Sequence, residues 1–222
     1  MRKLSFTRLR AWLVLLTISC AASSRAATLQ ASVQTSSLIG GSYSLIFDLI
    51  NGDGAPNNTV TLSSFQFGGG GVVGSPTLTG GATGDLSSAG TLRDTTFFSE
   101  ILQGFSAGTV LSFQVDTTLA FGGGTPDSVT FFVLDNGTGL PVPTLDPSGA
   151  DSLMEIDLLP TPVVHAFGSD PSRTPLVIPP PMLGGSGGNA VPEPSAGALI
   201  GSGILGCYVL RRRRGRGDTN AQ

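Results

Sequence analysis

Between residues 27 and 190 the chain has no cysteine, no lysine and no tryptophan, with one tyrosine (Tyr43) and one histidine (His165). Without cysteine there is no disulfide staple, no thiolate nucleophile and no cysteine-based zinc site. Without lysine, the glycine runs at 68–71 and 122–124 are not phosphate loops, which need a lysine after the glycines, and they read as loops between strands. One histidine with no Gly-x-Ser-x-Gly turn leaves a Ser-His-Asp triad without its parts, and His165 reads as a surface residue. Basic residues are equally scarce: Arg93 and Arg173 stand against thirteen acids, a formal charge of −11. Such a surface repels phosphate backbones, so nucleic acid is excluded as a partner.

The remaining basic residues sit at the two ends. Arg2, Lys3, Arg8 and Arg10 precede the apolar run AWLVLLTI at 11–18, and small residues lead to Ser24-Arg25-Ala26. A basic stretch, a short apolar stretch and a small-x-small site make a secretory signal peptide over residues 1–26, with cleavage predicted between Ala26 and Ala27. The apolar run is far short of the ~20 residues a membrane span requires. Cys20 lies within this leader and leaves with it.

Beyond the leader the chain is patterned for strands. SLIFDLI (44–50) ends in Asn51-Gly52, and SVTFFVL (128–134) ends in Asp135-Asn136-Gly137, both turn signals. Their shared plan of apolar strand, Asn-Gly and then proline hints at a repeated hairpin unit. TVTLSSFQF (59–67) alternates but slips phase at Ser63-Ser64, as a bulge would make it do. Leu111, Phe113 and Val115 alternate with polar neighbours, as do Met154, Ile156 and Leu158 with Glu155 and Asp157. TTFFSEILQGF (95–105) fits a helix face and a strand edge about equally. The fold class is mainly β: one antiparallel β-sandwich-like domain over 27–167, able to bury a core without staples.

From residue 160 to 194 the chain carries nine of its fifteen prolines, with LGGSGGN at 183–189. Proline stiffens and Gly-Ser loosens, so 168–190 reads as a stalk, whose 175–178 part (PLVI) alternatively packs as an edge strand. Then come Pro192-Glu193-Pro194, an uncharged apolar segment at 196–210, the block Arg211, Arg212, Arg213, Arg214, and a short tail at 215–222. Fifteen helical residues reach only ~22 Å, short of the ~30 Å hydrocarbon core, which suits a temporary single transmembrane helix. The arginines mark its cytoplasmic side and leave the domain outside.

This order of Pro-Glu-Pro, short apolar segment and arginine block closely resembles the PEP-CTERM sorting signal of exported bacterial proteins, over about the last thirty residues. The tail at 215–222 is longer than the pattern. The resemblance implies a substrate of an exosortase, a membrane-embedded cysteine protease that acts at the Pro-Glu-Pro region, in bacteria that make exopolysaccharide and biofilm matrix. Both prolines lack a backbone donor and keep the site extended, as a protease requires.

For the domain itself the expected function is non-enzymatic: a cell-surface or extracellular-matrix component exported by the general secretion machinery, held transiently at the inner membrane and then released. No cofactor is required. Two alternatives stay open. One is a calcium- or carbohydrate-binding module on the same anchor. Its calcium candidates are Asp53, Asp85 and Asp127, each a carboxylate beside a glycine-rich turn, the last two near an RTX-type Gly-Gly-x-Gly-x-Asp pattern. Asp in such turns serves backbone hydrogen bonding equally well. The other is a secreted hydrolase using acids such as Glu155 or Asp157, although the aromatic platforms of a sugar cleft are missing.

Overall fold

A strand that alternates apolar and polar residues has one face to bury, and two such sheets bury each other. The computed structural model describes residues 26–184 and has this architecture. In chain order the strands are β1 (Ala26–Gln34), β2 (Tyr43–Ile50), β3 (Thr59–Gln66), β4 (Gly71–Thr79), β5 (Thr83–Asp85), β6 (Ala89–Arg93), β7 (Phe98–Ser106), β8 (Val110–Thr118), β9 (Ser128–Asp135), β10 (Leu140–Pro141), β11 (Met154–Asp157), β12 (Val163–Ala166) and β13 (Met182–Gly184). One sheet has the order β13-β1-β8-β3-β6-β5; the other has β12-β11-β9-β2-β7-β4, with β10 beside β9. Both sheets are antiparallel and open, and the described helical content is one 3-10 turn at Ser36–Leu38.

The alternating residues fill the space between the sheets. Leu111, Phe113 and Val115 of β8 and Val60 and Leu62 of β3 face Leu45, Phe47 and Leu49 of β2 and Val129, Phe131 and Val133 of β9. At the centre Phe113 stands edge-on to Phe47 (5.1 Å, 86°) and near Phe131 (5.2 Å), while Phe47 stacks on Phe131 (4.8 Å). Phe65 joins from β3, 5.5 Å from Phe113. Each fully buried ring contributes roughly 1.5–3 kcal/mol by leaving water. This aromatic cluster bridges the sheets in place of a disulfide.

The phase slip in β3 is a bulge: its register with β8 shifts between Ser63 and Gln66, and Ser64 has φ of 57°. Of the two readings of 95–105, the strand is correct. β7 lies between β2 and β4 and buries Ser99, Ile101, Gln103 and Phe105 in strict alternation. Eight residues of pairing with β2 override the helical spacing of its apolar residues. The hinted hairpin repeat is not one unit, because β9 turns back into β10 whereas β2 leads across to β3 in the other sheet.

Packing continues past residue 167. Ser169 bridges to Thr144, its N–H donates to the Ile178 carbonyl (2.8 Å), and Ile178 is 1 % exposed. Arg173 holds this segment down, pairing with Asp151, donating to Asp170 (2.8 Å) and to the Thr144 carbonyl (2.6 Å). β13 then pairs with Gln30, Ala31 and Ser32 of β1. Of the segment expected to be a stalk, the part as far as Gly184 therefore lies against the domain, and the rest lies outside the described residues.

Candidate functional site

Six strand ends meet at one pole of the sandwich: β2 ends at Ile50, β6 at Arg93 and β8 at Thr118, while β3, β7 and β9 begin there. The loops between them, 51–58, 94–97 and 119–127, are joined by buried carboxylates and amides. Asp127, 1 % exposed, accepts from the N–H groups of Gly52 (2.8 Å) and Asp53 (3.3 Å) and from Asn58 Nδ2 (2.8 Å). Asp53 accepts from Ala55 N–H and Gly122 N–H (both 2.8 Å) and from Asn57 Nδ2 (3.3 Å). Asp94, 2 % exposed, accepts from the N–H groups of Asn57 (2.9 Å) and Asn58 (2.6 Å). Asn58 completes the knot by donating to the Ala120 carbonyl and accepting from Ala120 N–H and the Thr118 hydroxyl. Gly52 is required where these loops touch, since a Cβ there would fall 2.1 Å from the Pro126 carbonyl oxygen.

The backbone donors on Ala55 and Gly122 hold the Asp53 carboxyl below its ordinary range. Burial pushes Asp94 up, Asp127 beside it adds to this, and the N–H groups of Asn58 and Asn57 oppose it. A shallow cavity of about 270 Å³ opens beside the knot, lined by Asn51, Gly54, Pro56, Asp94 and residues 95–97.

Two of the three calcium candidates, Asp53 and Asp127, are thus brought together, 74 residues apart in sequence. Asp85 is not with them. It lies in the β5–β6 hairpin, four residues along β6 from the pole, accepting from Ser87 N–H (2.7 Å) and Gln103 Nε2 (3.1 Å). Among the described residues no three His, Cys, Asp or Glu side chains are grouped to hold a metal ion. Asp94 and Asn58, central to the knot, were not legible as site residues, because nothing near them in sequence distinguishes them from ordinary turn residues.

A second polar feature crosses the outer face of the β12-to-β4 sheet. Register places His165, Glu155, Thr130, Asp48, Glu100 and Thr79 in one row over six strands. Asp48 is pushed up to about 7, first by burial and then by the Glu100 carboxylate opposite it, and its Oδ1 is buried without a hydrogen-bond partner. A buried carboxylate beside a second acid and without a donor favours its neutral form. Burial also raises Glu155, with Asp157 and Asp146 adding to it and His165 opposing. His165 is exposed and lies parallel to Phe167, 6.4 Å between ring centres. The acid inside SLIFDLI was the available signal for Asp48, since an isolated carboxylate in an apolar strand must find a partner or a proton.

The export features bear on the ends. The bond expected to be cut, Ala26–Ala27, lies in the first residues of β1, opposite Thr118 and Thr117 of β8. Pro192, Glu193 and Pro194, the apolar segment at 196–210, the arginines at 211–214 and the leader before Ala26 lie outside the described residues. Comparison with known families matches residues 190–214 to a family described as the PEP-CTERM protein-sorting motif. No curated protein and no solved structure matches the chain. A PEP-CTERM sorting motif is therefore present near 190–214, and with the β-sandwich it supports, in general terms, an exported and sorted surface protein.

Proposed function

We propose that this chain is an exported, non-enzymatic component of the cell surface or extracellular matrix. The segment at 196–210 tethers it for a time at the inner membrane, and an exosortase-type protease acting at Pro192-Glu193-Pro194 hands it on. The observation that carries the proposal is the sorting motif at 190–214, which follows β13, the last strand among the described residues. The prolines on each side of Glu193 lack a backbone donor. The structural part of the reading is supported by the pole, where the Asp53, Asp94 and Asp127 carboxylates are engaged by N–H donors that staple three loops. In that arrangement they serve the fold rather than a substrate. The strongly negative domain suits a hydrated extracellular matrix with exopolysaccharide, where self-repulsion keeps copies apart until they are placed.

The test is the intact mass and cell fraction of the native protein beside a variant with Pro192, Glu193 and Pro194 changed to alanine. The wild type is expected to lose the arginine tail and leave the inner membrane, while the variant keeps both tail and location. If both remain full-length in the inner membrane, the segment is only an anchor and the handover is wrong.

A further inference from the structure

The chain contains two Asn-Gly pairs, Asn51-Gly52 and Asn136-Gly137, and each holds a latent reaction. The glycine nitrogen, unshielded by a Cβ on its own residue, can attack the asparagine side-chain carbonyl and expel ammonia. Water then opens the cyclic imide that results. The step is promoted by a base on the glycine N–H and a donor on the oxygen that turns negative. It also needs a carboxamide free to reach the nitrogen.

The structure separates the two pairs. Asn51 is buried, its Nδ2 donates to the Asp94 carbonyl (2.9 Å), and its Oδ1 accepts from Gly54 N–H (2.6 Å). Asp127 accepts from Gly52 N–H (2.8 Å), but Gly52 sits against the Pro126 carbonyl. The Asn51 carboxamide therefore cannot swing onto that nitrogen without breaking the knot. Asn136 lies at the other pole, in the exposed turn between β9 and β10. Thr138 N–H and Gly139 N–H close this turn on the Asp135 carbonyl (3.2 and 2.8 Å). Here the parts are assembled in the open. Asp135 Oδ1 accepts from Gly137 N–H (2.8 Å), within reach of the proton to be removed. Ser44 Oγ donates to Asn136 Oδ1 (2.8 Å), where negative charge develops. Asn136 Nδ2 donates only to the exposed Ser42 hydroxyl (3.2 Å), so ammonia has a path out.

We propose that Asn136 is a self-modification site of the folded domain, converting through a cyclic imide to aspartate and isoaspartate, with Asp135 as the base and Ser44 as the oxyanion donor. The bond from the Gly137 nitrogen to Asn136 Cγ forms as the Cγ–Nδ2 bond breaks. The Gly137 proton passes to Asp135 and then to the departing nitrogen, which leaves as ammonia. Water opening the imide at Cγ gives aspartate, and opening it at the backbone carbonyl gives isoaspartate. Both products place a negative charge beside Asp135, and isoaspartate adds a methylene to the backbone of the turn. The element this loosens is β10, which pairs with β9 only at Leu140 and Pro141.

The test incubates the full chain in mild detergent and slightly alkaline heavy-oxygen water, and follows residues 51 and 136 by peptide mapping. Label is expected to enter residue 136 severalfold faster than residue 51, as both aspartate and isoaspartate. Ser44→Ala removes the donor, and Asp135→Asn keeps an acceptor for Gly137 while removing the base. Each is expected to slow conversion at 136 severalfold while the melting midpoint stays near that of the wild type. Equal rates in the wild type and both folded variants would overturn the proposal, because the reaction would then belong to the Asn-Gly sequence alone. A slower rate in the folded chain than in the same chain unfolded in guanidinium chloride would also overturn it, since the turn would then shield Asn136.

Discussion

Asp48 sits mid-strand with Glu100 opposite it, and its carboxyl is raised to about 7 by burial and by that neighbour. A raised carboxyl binds its proton more tightly folded than unfolded, so its contribution is present below the unfolded value near 4 and is lost as pH climbs through about 7. Glu155 and Asp94, both raised, act in the same direction. Asp53, Asp85, Asp146, Asp151 and Asp170 are lowered, Asp170 to about 2, and their contribution is lost as pH falls through their folded values. The melting midpoint is thus expected to be highest between about pH 4 and 6 and to decline toward pH 8. Asp48→Asn should flatten the alkaline decline, and thermal scans across pH would show it. At the pole, Asn58→Ala strands Asp127, Ala120 and Thr118 at once and is expected to cost about 3 kcal/mol in denaturant unfolding. Chelation is expected to leave the midpoint unchanged, because N–H donors already occupy the Asp53 and Asp127 carboxylates. A calcium-dependent rise would favour the ion-binding alternative instead.

Among the elements, β8 and β2 do most to define the core, since each carries an alternating apolar set and a central phenylalanine. Phe113→Ala is expected to cost about 3–5 kcal/mol, because three other rings pack on it and the gap cannot close. These strands, the bulge at Ser63-Ser64 and the turn after β9 were legible because period-two alternation and Asn-Gly signals are local properties. β7 was ambiguous for the converse reason: its apolar residues suit two periods, and only its place between β2 and β4 decides the matter. The proline-rich 168–184 segment looked like spacer because its packing depends on single residues, Ile178 and Arg173, rather than on a pattern. A chain of residues 27–167 is accordingly expected to melt several degrees below one of 27–184, a difference that calorimetry of the two would measure. The first residues of β1, Ala26 and Ala27, pair with Thr118 and Thr117 of β8.

For the molecule as a whole, charge matters most. A formal −11 over residues 27–190, with Arg93 and Arg173 as its only cations, makes self-repulsion larger than the gain from the Arg173 clamp. Raising salt from about 20 to 300 mM should therefore raise the melting midpoint, whereas a domain held by surface ion pairs would lose stability. By itself the sequence determined the sorting motif and the β class, because each depends on residues adjacent in the chain. Only the tertiary structure decided that Asp53, Asp94 and Asp127 share one pole and that Asp48 lies buried opposite Glu100. Those groups are tens of residues apart, and strand register, which no local pattern encodes, brings them together.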